Sequence, residues 1–487
     1  MTPRFTRSSR LVGAVGLAGV LAMALTGCNR STLDRPSQPV VLTGAAISPL
    51  VGVDPDRVVA FRHSLEGSTP TWTQIPVQVD ERKVVPFGSQ PSNNTSAGVV
   101  GTVYGNGSGG PTALQYADAG TFVGADADPL VDANDEIVFM AFDAGGQPKA
   151  EQATEPAGAV PGSGTAIFVN DARGSNEWGW VYLFESDGSL DPSAGQDYVD
   201  YDFELASGPY LTTYKRADGP NLETSSVVTD TYEIGYTDRW KETSWRVLAD
   251  DATGVDILDG HKNQFATTTC GRSNRTFAGA EGAFVANTDG PIRGIRSYIG
   301  ANSGPLTQRT HLMYRDRTDV ITDLRVHAIP GIIDFIDYSA AAVGITYRSS
   351  TLPGGVTIDG ASDAVGSAVP SWEAVDGPQG TVYTRNTFTS SQSSLASGTV
   401  HFYRDQTTPT EQQCWGDGSY YGASGAWIAT GINNTDPRNP PFQALQGLRV
   451  TEFSSPEATP ADIPTDAADW ADDLATPLVV TVTDYTP

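Results

Sequence analysis

The sequence predicts an all-β protein, an N-terminal β-sandwich followed by a larger β-sandwich domain, with few or no long helices. Three observations lead there. Charged residues make up only 18% of the 487, while 52 glycines and 32 prolines punctuate the chain, a composition rich in turns and poor in long amphipathic helices. Short runs of β-branched and aromatic residues with a two-residue period recur from Val40 to Tyr485. Only the segment Ala461–Leu474 reads as a helix of ten residues or more.

Taken in order, residues 1–27 read as a leader and 28–39 as a polar, proline-bearing tether. Residues 40–195 form the first sandwich, with expected strands Val40–Leu42, Arg57–Arg62, Thr71–Val79, Glu136–Phe142, Thr165–Val169 and Trp178–Phe184. The Gly-, Ser- and Asn-rich stretch from Pro86 to Pro111 has almost no apolar periodicity and reads as a long surface loop. The second sandwich, 196–487, carries longer strands with cleaner alternation. These are Asp200–Leu205, Val227–Tyr236, Ile292–Ile299, Arg309–Arg315, Val320–Ala328, Val343–Arg348, Thr399–Arg404, Trp427–Ile432 and Leu448–Phe453. In the helical segment Thr465 is the expected N-cap, with acidic residues in and after the first turn. The β-branched run Pro477–Tyr485 adds a last strand. No repeat of fixed period occurs, which disfavours propellers and solenoids.

Arg4, Arg7 and Arg10 precede an apolar run from Leu11 to Leu25, too short for a stable membrane span and patterned as a secretory signal. The run ends in Leu25-Thr26-Gly27-Cys28, which resembles the lipobox of bacterial lipoproteins. That resemblance implies cleavage before Cys28, acylation of that cysteine, and an extracytoplasmic body anchored by lipid to the cell envelope. The formal charge of −27 becomes −30 once the three leader arginines are lost. Such a surface repels nucleic acid and anionic lipid, so nucleic acid is not an expected partner and the bilayer is met through the acylated cysteine alone. Cys270 and Cys414 remain. An oxidising compartment favours a disulfide between them, two separate buried thiols being the alternative.

The acidic stretch Asp126-Ala-Asp128-Pro-Leu-Val-Asp132-Ala-Asn134-Asp135-Glu136 runs into the apolar strand Ile137–Phe142. A hard cation needs several oxygen ligands at about 2.3–2.6 Å. Asp126, Asp128, Asp132, Asn134, Asp135 and Glu136 are therefore the candidate ligands of a calcium ion. The stretch is similar to the Asp-x-Asp loops of EF-hands, without their central glycine or their final glutamate. The alternative is an acidic turn, initiated at Asp128-Pro129, that solvates the start of the strand.

Residues 292–327 carry Arg293, Arg296, Arg309, Arg315, Arg317 and Arg325 against Asp316, Asp319 and Asp323, a local charge of +3 in an anionic protein. Side chains alternate faces along a strand, so Val320, Thr322, Leu324 and Val326 form one row, and Ile321, Asp323, Arg325 and His327 the other. On the preceding strand Arg309, His311, Met313 and Arg315 share a face. If the two arginine–histidine rows face the same way, the sheet presents a polar wall suited to carboxylates. Arg293, Arg296, Asn302, Arg309, Asp323 and Arg325 are its candidate ligand-binding residues. His311, His327, Tyr298 and His261 are candidate proton-transfer groups, since a lyase needs a neutraliser for the substrate carboxylate and a base near the sugar ring. The alternative is a solvated face of arginines paired with Asp316, Asp319 and Asp323. Asp289-Gly-Pro-Ile-Arg293-Gly-Ile-Arg296, followed by paired long strands, resembles the Gly-Pro-Val/Leu-Arg strand of the galactose mutarotase-like supersandwich. That resemblance covers about Val227 to Phe453 and implies a fold found in polysaccharide lyases, mutarotases and glycosidase accessory domains. The segments Trp72–Arg82 and Asp132–Ala141 resemble parts of exported bacterial proteins and imply no chemistry.

No Gly-x-Ser-x-Gly elbow, His-Glu-x-x-His helix, Cys-x-x-Cys pair or Walker-type phosphate loop is present. Trp178, Trp180, Trp240, Trp245, Trp372, Trp415 and Trp427 are candidate sugar-stacking groups, although most aromatics in a sandwich belong to its core. The leading expectation is a lipid-anchored protein that binds a polysaccharide or envelope glycan. The alternatives are a lyase or hydrolase acting on an acidic glycan, and a structural or adhesive calcium-binding surface lipoprotein.

Overall fold

The computed structural model describes residues 31–35, 37–66, 69–86, 112–121, 123–149, 153–174, 176–206, 222–238, 241–264, 282–300, 307–324, 331–390, 398–408, 418–431 and 445–487. Cys28, Cys270, Cys414, Asn302, Arg325 and His327 lie outside the described residues, so the expected disulfide and those three site residues are not placed.

In chain order the first strands are β1 (Pro39–Thr43), β2 (Val58–Glu66), β3 (Thr69–Ile75), β4 (Gln78–Asp80), β5 (Arg82–Pro86), β6 (Thr112–Tyr116), β7 (Glu136–Met140), β8 (Thr165–Asn170) and β9 (Trp178–Glu185). Next come β10 (Asp200–Asp202), β11 (Leu222–Val228), β12 (Tyr232–Asp238), β13 (Lys241–Val247), β14 (Leu258–Gln264), β15 (Gly282–Thr288), β16 (Arg293–Gly300), β17 (Thr307–Tyr314) and β18 (Arg317–Leu324). The last are β19 (Ile332–Tyr338), β20 (Thr346–Ser349), β21 (Leu352–Thr357), β22 (Glu373–Gly377), β23 (Gly380–Thr389), β24 (Thr399–Gln406), β25 (Tyr420–Ile428), β26 (Leu445–Ser454) and β27 (Val479–Asp484), with helix α1 (Ile463–Ala475) before the final strand. The all-β class is as expected.

The first sandwich packs the five-stranded sheet β27-β8-β9-β2-β3 on the three-stranded sheet β1-β7-β4. Its core takes Val40, Leu42, Ile137 and Phe139 from one sheet and Val58, Ala60, Ile167, Val169, Val181 and Leu183 from the other. The expected single strand Thr71–Val79 is two strands in two sheets, β3 and β4. Pro76 lies between them and has no N–H to donate to a ladder, so the chain changes sheet there.

The larger unit is built on the nine-stranded sheet β15-β16-β17-β18-β26-β23-β22-β20-β21 and the four-stranded sheets β10-β11-β12-β13 and β14-β19-β25-β24. The main core draws on Tyr232, Ile234, Tyr236 and Trp245 from β12 and β13, Ile336 and Tyr338 from β19, and Ile295, Met313 and Phe453 from the nine-stranded sheet.

The last strand departs from the expected division at 195/196. β27 pairs antiparallel with β8, Val480 opposite Val169 and Val482 opposite Ile167, so the C-terminal end completes the first sandwich. Helix α1 has Asp462 as its N-cap without a side-chain cap bond, and the expected cap Thr465 lies inside the helix. Proline suits a first helical turn, where Pro464 sits, and burial fixes the register. Ile463, Ala467, Trp470 and Ala471 fall on one face and pack on Trp372, Tyr383 and Val450.

The tether expected at 28–39 is in its described part a docked segment. Arg35 is 3% exposed, donates from Nε to Asp171 Oδ2 at 2.8 Å and from Nη1 to the Thr476 carbonyl at 2.6 Å. Ser37 donates to Glu452 at 2.8 Å, and Gln38 accepts from Arg317 at 3.2 Å. A buried guanidinium needs its partners, and these hold the chain against the body.

A buried charge layer and a polar groove

β16, β17 and β18 place the predicted site. Register pairs Arg296 with His311 and Tyr298 with Arg309, and then His311 with Val320 and Arg309 with Thr322. The Arg309–His311 row therefore shares a face with Val320 and Thr322. Asp323 shares the opposite face with Gln308, its cross-strand partner. The described members of the two rows expected to form one wall point to opposite sides of the sheet.

The inner side is covered by the other sheets. Arg296, Tyr298, Arg309, His311 and His261 are each no more than 1% exposed. Arg296 forms a two-pronged pair with Glu223, at 2.8 and 2.6 Å, with its guanidinium 4.4 Å from the Tyr236 ring centre. Arg309 donates to Asp334 Oδ2 at 2.8 Å and to Thr322 at 3.1 Å, while Arg449 donates to Asp334 Oδ1 at 2.6 Å. Gly425 makes this junction possible, because a Cβ there would fall 2.2 Å from the Asp334 carbonyl oxygen.

His261 sits in the same cluster, Nε2 2.8 Å from Asp334 Oδ1 and Nδ1 3.3 Å from Arg309 Nη1. A guanidinium only donates, so His261 Nδ1 accepts and Nε2–H donates to Asp334. Burial, and then the Arg309 and Arg449 charges, push the imidazole down to about 3, so it is neutral. His311 Nδ1 lies 3.1 Å from Glu242 Oε1, and Trp245 donates to the other carboxylate oxygen at 3.1 Å. Burial raises the Glu242 carboxyl, but the hydrogen bond from His311 and the nearby bases outweigh it, leaving the group at about 2. Burial lowers His311. Tyr298 packs edge-on against Phe284 at 5.1 Å. Arg296, Arg309, His311 and His261 are thus an internal charge layer, paired across sheets with Glu223, Asp334 and Glu242. Of the arginines of this span, Arg315 lies 3.7 Å from Asp316 and Arg317 pairs with Asp319, while Arg296 and Arg309 are neutralised by Glu223 and Asp334.

Arg293 belongs to the opposite side. It donates to Asp80 Oδ2 at 2.9 and 2.6 Å, to Glu136 Oε2 at 2.6 Å and to Tyr314 Oη at 3.1 Å. Gln78 Oε1 accepts from its backbone N–H at 2.9 Å. The Gly-Pro-Ile-Arg motif therefore stitches the large sheet to the first sandwich.

On this side lies a groove of about 620 Å³, walled by β1, β5 and β6 on one flank and β17, β18 and β26 on the other. Planar amides and ion pairs line it. Gln308 donates to Gln115 Oε1 at 2.7 Å, Gln446 donates to Asp323 at 2.9 Å, and Arg317 makes a two-pronged pair with Asp319 at 2.6 and 2.7 Å. Tyr116 donates to Glu136 at 2.9 Å, and Arg82 pairs with the other Glu136 oxygen at 2.6 Å. Arg293 and Asp323 are the two described residues of the expected ligand set that line this groove. Its other polar walls were missed. Their signal was the row Gln308, Thr310, Leu312 and Tyr314, of which Gln308 finds its β6 partner Gln115 193 residues away in sequence.

In the acidic loop most of the expected ligand atoms cap backbone groups. Asp126 accepts from Asp128 N at 3.1 Å, Asp128 from Leu130 N at 3.3 Å, and Asp132 from Asn134 N at 2.7 Å. Asp135 accepts from Arg82 N at 2.8 Å and Asp132 N at 2.7 Å, and Glu136 is held by Arg82 and Arg293. Among the described residues no three His, Cys, Asp or Glu side chains converge in a metal-binding arrangement. No helix of the described residues is long and apolar enough to cross a membrane.

No family model matches the chain, and no curated protein matches it significantly.

Proposed function

We propose that the chain is a lipid-anchored extracytoplasmic protein that binds a polysaccharide or envelope glycan in the groove between its two sandwiches. The leader and its Leu-Thr-Gly-Cys28 ending support the anchoring. The groove's wall chemistry supports the ligand class. Sugar hydroxyls donate and accept together, and mutually bonded amides, carboxylates and guanidinium groups present both roles in fixed planes. Its volume lies in the range of about 300–1,000 Å³ usual for ligand sites. The ligand site moves from the inner arginine–histidine layer to the outer face of the same sheet. A lyase or hydrolase using His261, His311 or Tyr298 is not adopted, because all three are buried and the two imidazoles are held by Asp334 and Glu242.

The test is a glycan panel read against wild type and an Asp323→Asn, Gln446→Ala variant. Loss of two groove hydrogen bonds lowers affinity at least ~10-fold, since one bond to a charged group contributes about 1.5–3 kcal/mol. Equal binding by both proteins removes the groove from the account. Anchoring is tested by palmitate incorporation, which Cys28→Ser abolishes. Calcium at the acidic loop is a secondary part of the proposal. Burial, and then the Asp135, Asp126, Asp132 and Asp128 charges, push Glu81 up to about 7, a crowding that a divalent cation relieves.

A further inference from the structure

We infer that the aromatic patch at the edge of the five-stranded sheet, Phe168, Trp178 and Trp180 with Val479 beside them, is the membrane-facing surface of this protein. The inference rests on the lipid-anchored reading and adds an orientation to it. Four residue steps separate Cys28 from Thr32, a reach of at most ~14 Å of extended chain. Thr32 is fixed. Its N–H donates to the Trp178 carbonyl at 2.8 Å, its hydroxyl donates to the Asn176 carbonyl at 2.6 Å, and Trp178 N donates back to that hydroxyl at 3.0 Å. Ser31 donates to the same Trp178 carbonyl at 3.2 Å, and Gly179 leaves room for it, because a Cβ there would lie 2.7 Å from Ser31 Oγ. An acyl chain on Cys28 therefore keeps the start of β9 within ~14 Å of chain of the bilayer.

That start carries side chains a membrane interface accepts, Phe168 and Trp178 half-buried and Trp180 half-buried against the cluster of Tyr182 and Phe184. Register sets Phe168 opposite Trp180 and Asn170 opposite Trp178, and β27 adds Val479 opposite Asn170 and Thr481 opposite Phe168, all on the outer face. Phe168 lies 5.0 Å from Trp180 and 6.3 Å from Trp178, ring centre to ring centre, and Val479 is 51% exposed. Tryptophan rings partition to the headgroup layer, which is roughly 5–8 Å deep on each side of a bilayer. The contact is apolar. Arg173, the nearby base, is bonded to the Asp469 carbonyl and the Asp473 carboxylate, so anionic lipid is not required.

The experiment uses the acylated full chain in phosphatidylcholine vesicles, with acyl chains brominated close to the headgroup. Wild type floats with the vesicles and loses tryptophan emission relative to unbrominated lipid. A Trp178→Phe, Trp180→Phe variant floats equally and does not show that loss. Thr481→Trp, at an exposed position beside Phe168, shows a larger loss than wild type. Flotation without quenching, or quenching undiminished in the double variant, overturns the orientation while leaving the anchor intact. Failure to float, together with unchanged palmitate labelling of Cys28→Ser, overturns the anchor and the orientation with it.

Discussion

Arg296 and Glu223 show what a charged row does when a second sheet closes over it. Both side chains have no exposed surface, and two parallel hydrogen bonds join them. Removing one partner leaves the other charged, dry and unpaired, so Glu223→Ala is expected to destabilise the fold by about 3–5 kcal/mol. An Arg296→Met, Glu223→Leu double variant recovers most of that loss in chemical denaturation. Recovery failing to occur would mean the pair contributes more than mutual neutralisation. The period of two along β16 and β17 was legible in the sequence. Its burial was not, because the covering carboxylates Glu223, Glu242 and Asp334 come from other strands, 73, 69 and 25 residues away.

Other buried carboxyls set a pH dependence. Burial raises Glu452 and Glu81 to about 7 and Asp143 to about 6, in each case against partial compensation or reinforcement by neighbours. A raised carboxyl favours the folded state while protonated, so this contribution is full below the unfolded value near 4.5 and is lost as pH rises through about 7. Glu242, lowered to about 2, works the other way, stabilising above about 4.5 and losing its effect as pH falls through about 2. The melting temperature is expected to peak near pH 5 and to decline towards pH 8. A melting temperature that climbs steadily from pH 5 to pH 8 would contradict these assignments.

At the scale of elements, strands with apolar alternation were readable, while polar ones were not. β14 has the sequence Leu-Asp-Gly-His-Lys-Asn-Gln and reads as a polar cluster, yet it is a strand because His261 and Lys262 find Asp334 and Asp337 on β19. Helix α1 was legible from its capping and acidic first turn, and its start was displaced because Ile463, together with Ala467 and Trp470, is buried on the face that packs against the body. The acidic loop is the element where a ligand effect is expected. Calcium raises the melting temperature of wild type and leaves an Asp126→Asn, Asp128→Asn variant unmoved. A wild-type midpoint that is the same in calcium and in chelator removes the ion from the account.

The whole molecule couples two sandwiches through Arg293 and through the chain's two described ends. The segment from Thr32 to Gln38 binds β9, α1 and β18, and β27 completes the sheet of the first sandwich. Neither coupling could be read from local pattern, since each joins segments hundreds of residues apart. Gln38 lines the groove and lies at most ~20 Å of chain from Thr32, which places any bound glycan close to the proposed lipid anchor. The most direct measurement is a crystal structure of the soluble body soaked with the tightest-binding oligosaccharide of the panel. The account predicts sugar density hydrogen-bonded to Gln308, Asp323 and Gln446. Density confined to another surface, with this groove empty, would contradict it.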